Sequence, residues 1–195
     1  MKKVSLEQLR TIEDKLNFYN FESLSTKNGS QLLIQFTEGT NVITYSDLQF
    51  GGNEQLFLSQ RKELQEFILR LFDVFIDDYC LIRKYETAWI TDEALSKELA
   101  DFFLKRGVQN NSDESFYVKK DDKIIPLLLD AAFRYNSFVQ FIFEKEEVVV
   151  SPSDHLVVFI TSSDLNKMQS RIAKCFDNVG GGSLEAVHIT FSQHR

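Results

Sequence analysis

Residues 138–161 read FVQFIFEKEEVVVSPSDHLVVFIT, three apolar runs separated by two short polar joints. Phe138 to Phe143, Glu147 to Val150 and His155 to Thr161 read as successive strands. Each run is short, rich in β-branched and aromatic residues, and bounded by turn-forming residues. Joints this brief make hairpins, so the strands are expected to pair antiparallel. The second joint carries Asp154 and His155, and it raises the question of whether that pair is a reaction centre or only a polar turn.

Helices flank this block. Upstream, Pro126 suits the first turn of a helix carrying Leu129, Ala132 and Phe133. Downstream, Leu165, Met168, Ile172 and Cys175 give a helical stripe over about Asp164 to Phe176. Gly180-Gly181-Gly182 then connects to a last strand, Glu185 to Phe191, on which Val187, Ile189 and Phe191 alternate with a solvated face of Ala186, His188 and Thr190. Those glycines follow a helix and precede a strand, the reverse of a phosphate cradle.

Toward the N-terminus, Ser5 and Gln8 form a capping box, Val4 and Leu9 stand at staple positions, and Leu6, Leu9, Ile12 and Leu16 form one stripe. Gln31 to Phe36 and Asn41 to Tyr45 bracket Thr37-Glu38-Gly39-Thr40 as a hairpin. From Ser59 to Ile76, Leu64, Phe67, Ile68, Leu71, Phe72, Phe75 and Ile76 keep the helical period. Tyr79 to Tyr85 reads as a strand. Thr91 then caps a helix that buries Leu95, Leu99, Phe102 and Phe103 and ends at Gly107, and Phe116 to Lys119 is a short strand. Hairpins interleaved with helices predict an α+β fold with a largely antiparallel sheet rather than a doubly wound parallel one.

The chain of 195 residues, 43% apolar with 18 phenylalanines, reads as a single α+β domain with a core of its own. Laying Ser30 on Ser137 without gaps matches Phe36 with Phe143 and Asp47 with Asp154, which would make residues 1–90 and 91–195 two related helix-hairpin-helix-strand halves. Two isolated cysteines, Cys80 and Cys175, fall on apolar patterns and read as reduced core residues. No apolar run approaches the roughly 18 residues of a membrane span, and residues 1–8 lack an apolar signal core, so a cytoplasmic protein is expected. Few prolines and abundant Phe, Asn, Lys and Ile suggest a bacterial source.

The balance of 29 acidic against 22 basic residues, a net charge of −7, argues against nucleic acid or an anionic membrane as partner and is compatible with a basic protein. No nucleotide-binding, zinc-protease or nucleophile-elbow spacing occurs, so no cofactor or metal is implied. Asp73, Asp77 and Asp78 pose a physical puzzle. Carboxylates at a helix C-terminus face the negative end of its dipole, and a cation or a basic partner would relieve them.

Three functions are therefore weighed. The first is a protein-binding module, similar in size and charge to immunity proteins that sit beside toxins, anchoring a basic partner at Asp73, Asp77 and Asp78. The second is a hydrolase or metal-dependent enzyme using Asp154, His155 and His188, or the same three aspartates. The third is a structural or regulatory domain that self-associates through an edge strand such as Glu185 to Phe191. Neighbours in an extended chain point to opposite faces, so Asp154 is poorly placed to orient His155. Tyr85 and Trp89, at a strand exit, are candidates for stacking on a ligand.

Overall fold

The computed structural model describes residues 2–20, 25–26, 30–84, 92–107, 114–135, 139–176 and 183–190. The first part of the chain forms β1 (Lys2–Lys3), α1 (Leu6–Lys15), β2 (Tyr19–Asn20), β3 (Ser25–Thr26) and β4 (Ser30–Phe36). Next come α2 (Tyr45–Leu48), α3 (Glu54–Asp73), β5 (Tyr79–Lys84), α4 (Glu93–Leu104) and β6 (Glu114–Lys119). The remainder is α5 (Ile124–Tyr135), β7 (Val139–Phe143), β8 (Val148–Ser153), β9 (Val157–Ser162), α6 (Leu165–Phe176) and β10 (Leu184–Thr190).

Among the described residues, eight strands make one sheet in the order β1-β6-β5-β7-β8-β9-β4-β10, and every neighbouring pair is antiparallel. With the six helices found among the described residues, this is the expected α+β architecture. β2 and β3 form a separate small ladder. Successive strand residues alternate between the two sheet faces. Cys80, Ile82, Phe141, Phe143, Val148 and Val150 join one large core with buried residues of α3, α4, α5 and α6. Their neighbours Leu81, Ile142 and Val149 meet Val4, Ile12 and Leu16 on the other face. Covering both faces explains why β7 and β8 read as continuous apolar runs instead of alternating ones. Pro152 is tolerated because the β7–β8 ladder ends at Val150, so its missing N–H removes no bond on that side.

The hairpin expected at Gln31 to Tyr45 is half present. Thr40 N–H donates to Thr37 O (3.1 Å) across a turn in which Gly39 has φ 85°, but residues 41–44 form no strand. Both edges of β4 are already taken by β9 and β10. The buried amide of Gln60 stands in for a strand partner, accepting from Ile43 N–H (3.0 Å) and donating to Asn41 O (2.8 Å). Within the internal echo, residues 41–44 are thus irregular where residues 148–151 are strand, and Asp47 lies in α2 where Asp154 lies in a turn.

Helix boundaries also move. α3 begins at Glu54, because Asn53 accepts from Leu56 N–H (3.1 Å) as N-cap, and it ends at Asp73 rather than Ile76. α4 is capped by Asp92, whose carboxylate accepts from Leu95 N–H (3.0 Å); Thr91 lies outside the described residues. The Ser5–Gln8 capping box forms as expected. Leu6 points to solvent, and Val4 joins Ile12 and Leu16 in its place. On β10 the faces are reversed from expectation. Leu184 and Ala186 pack on the helix-covered core, with His188 beyond them, while Val187 and Ile189 lie half-buried on the opposite face.

Candidate functional site

The Asp154–His155 joint is a three-residue loop between β8 and β9. Leu156 N–H donates to Ser153 O (3.1 Å), and Leu156 itself takes a left-handed φ of 53°. Such a φ is disfavoured for a side chain larger than glycine's by about 1–2 kcal/mol. Burial of Leu156 in the core holds it there. Asp154 accepts from the Ser153 hydroxyl (3.2 Å), and no hydrogen bond joins it to His155. The two residues do not form a dyad.

They do border a hollow of about 280 Å³, shared with Tyr45, Ser46, Gln49, Arg134 and Tyr135. The Tyr45 and Tyr135 hydroxyls lie 3.2 Å apart, and Tyr135 also accepts from Asp92 N–H (2.9 Å). Arg134 sits over the Tyr45 ring, 5.7 Å from its centroid, and donates to Asp92 and Asp130 at 2.9 Å each. Arg61 binds Asp130 from α3. The four charges therefore satisfy one another and tie α3, α4 and α5 together. The hydrogen bond to Tyr135, followed by burial, raises the Tyr45 hydroxyl above its ordinary range, so it stays protonated and is no base at neutral pH.

His188 is not part of this corner. Through Leu32 it lies level with Ile160, three residues into β9 from Val157 or roughly 10 Å at about 3.3 Å per residue, and two strands away from the turn that holds His155. The catalytic group Asp154, His155 and His188 is thus dispersed. Among the described residues no three His, Cys, Asp or Glu side chains are placed to hold a metal ion. Cys80 and Cys175 are both buried, and burial pushes the Cys80 thiol up to about 12, which makes it inert. Since His155 is exposed and unpaired with Asp154, His155→Ala should change stability by no more than about 0.5 kcal/mol in urea unfolding. A larger loss would mean that the imidazole supports the turn.

The second candidate is the exit of α3. The connection to β5 alternates: Val74, Ile76, Asp78 and Tyr79 face solvent, while Phe75 and Asp77 are buried. Phase is set from within. Phe75 packs edge-on against Phe143, with centroids 4.6 Å apart, and Asp77 accepts from the backbone N–H groups of Lys145 (3.4 Å) and Glu146 (3.2 Å). Ile76 N–H donates to the Glu146 carboxylate (2.8 Å), which also binds Arg171 (2.5 Å).

The expected trio of aspartates is therefore corrected. Asp77 faces inward and fastens the β7–β8 turn, and burial raises its carboxyl above the usual range despite the two N–H donors. Asp73 and Asp78 remain outside, lining a hollow of about 400 Å³ with Tyr79, Lys119, Lys120 and Asp121. The cation that the helix end calls for comes from the chain itself, since the Lys120 ammonium donates to Phe75 O (2.8 Å) and Asp73 O (3.3 Å). Tyr85 and Trp89 lie outside the described residues.

Sequence reasoning passed over Tyr45, Arg134, Tyr135, Glu146 and Lys120. The Asp130–Arg134 spacing of four was a readable helix pair. Lys120 and Glu146 had no such signal, because their partners lie far off in sequence. Compared with protein-family models, with curated proteins and with solved structures, the chain shows no significant match to any.

Proposed function

We infer that the chain is a protein-binding module whose docking surface is the α3 exit and whose partner is a basic protein, in the manner of an immunity or antitoxin-like inhibitor of a basic toxin domain in a bacterial cytoplasm. The observation that carries this reading is the display of Val74, Ile76 and Tyr79 at 43%, 64% and 51% exposure on a backbone pinned by Phe75, Asp77 and Glu146. Apolar side chains held in water by buried anchors are pre-organised for a partner, because little conformational freedom is left to lose on binding. Asp73, Asp78 and Asp121 stand beside Lys119 and Lys120 in a mixed rim where the carboxylates exceed the lysines by one, and the net charge of −7 favours approach of a basic surface. Since Lys120 already compensates the helix end, the carboxylates contribute steering and the apolar trio contributes the contact.

The purified chain, immobilised, should retain a basic protein from a lysate of its source cells, and Ile76→Lys should abolish retention without unfolding the protein. Asp73→Asn combined with Asp78→Asn should slow association and reduce its dependence on salt. A toxin partner would in addition lose its activity when mixed with the wild-type chain. Retention unchanged by Ile76→Lys, or no basic protein retained at all, refutes the assignment.

A further inference from the structure

We propose that the outer edge of β10 is an interface with a second copy of this chain, the two β10 strands pairing antiparallel about a two-fold axis at Val187. The sheet treats its two edges differently. One closes with β1, only two residues long and made of Lys2 and Lys3, which carries both common devices against edge pairing, shortness and lysine. At the other edge β10 runs for seven residues in unbroken register with β4, from Leu184 opposite Phe36 to Thr190 opposite Ser30. It contains no proline, lysine or bulge, and among the described residues no strand pairs with its outer side. Its single acid is turned back across the sheet, because the Gln35 amide donates to the Glu185 carboxylate (2.9 Å).

The strand is also complementary to itself. About Val187, Leu184 faces the partner's Thr190, Glu185 faces the partner's Ile189, Ala186 faces the partner's His188, and Val187 meets the partner's Val187. No like charges are opposed. On the face opposite α3, α5 and α6, Phe159, Leu33 and Val187 already form a row of half-buried apolar neighbours across β9, β4 and β10. Pairing at Val187 continues that row through the axis into the second copy, with a β-branched pair at its centre. The interface is isologous, so it closes at two chains. It also lies beyond β7, β8, β9 and β4 from the α3 exit, so it stands or falls separately from the docking surface there.

The mass in solution tests this by sedimentation velocity over a concentration series. The wild type should give a two-chain species that dissociates on dilution. Val187→Lys and Val187→Glu should each give the one-chain mass with an unchanged circular dichroism spectrum, because the axis sets each introduced charge against its own copy. An equal mixture of the two variants should restore the two-chain mass, and added salt should remove it again. Hydrogen exchange gives a second readout on the unmodified protein, in which outward-pointing β10 amides should slow as concentration rises. One-chain mass for the wild type at every soluble concentration overturns the proposal. So does a two-chain species that survives both substitutions, or β10 exchange that ignores concentration.

Discussion

Glu146→Ala should destabilise the protein by about 3 kcal/mol or more, near the cost of removing one partner of a buried ion pair. The Glu146 side chain is 1% exposed, and it serves Ile76 N–H and the Arg171 guanidinium together. Truncation leaves both without their acceptor and frees the connection that displays Ile76. Urea unfolding at neutral pH measures the loss. Glu146→Gln should cost less, since the amide oxygen can still accept from Ile76 N–H. It also isolates a pH effect. Burial pushes the Glu146 carboxyl up, but the Ile76 N–H, Arg171 and Lys167 outweigh it and hold the carboxyl below the ordinary glutamate range. A depressed folded-state value means stability that is complete above the unfolded value and is lost as pH falls through the folded one. Stability of the wild type should therefore fall more steeply in acid than that of Glu146→Gln. Asp77, whose raised carboxyl works with the opposite sign, is present in both proteins. Parallel acid limbs for the two proteins would show that Glu146 carries no paired charge.

Phe72→Ala should cost about 3–5 kcal/mol, the range for deleting a buried aromatic ring. Phe72 packs against Phe141 and Phe143 at centroid distances of 5.3 and 4.7 Å, and against Phe75 at 6.2 Å. These rings join α3 to β7 and lead to the α3 exit, so collapse into the vacated space would have to move several aromatic side chains at once. Chemical denaturation should show a shifted midpoint with little change in slope. A loss below about 1 kcal/mol would place Phe72 at the margin of the core, where truncation is cheap.

Local grammar carried much of the fold. Ser5 with Gln8, the apolar stripe of α3, and the strand runs of β7, β8 and β9 depend on residues a few positions apart, and all can be found in the chain. What failed depended on distant partners. Residues 41–44 have the pattern of a strand, and only the occupation of both β4 edges, with Gln60 as substitute, denies them one. Val187 and Ile189 look like a core face until α6 is known to lie on the other side of the sheet, against Ala186 and Leu184. The candidate sites were less legible for the same reason. Asp77 and Asp78 are adjacent and chemically identical, yet one is buried by N–H donors of Lys145 and Glu146 and the other lines an open hollow.

The position of β4 between β9 and β10 governs how the chain can fold as it leaves the ribosome. Both ladders of this early strand are made by segments translated much later. At about 5–20 residues per second, the roughly 120 residues between Phe36 and Val157 take on the order of ten seconds to emerge. Throughout that interval Leu32, Ile34 and Phe36 have no partner strand, whereas β7 and β8 can pair within seconds of synthesis. The nascent protein is thus obliged to keep an apolar strand in waiting until the last third of the chain is made.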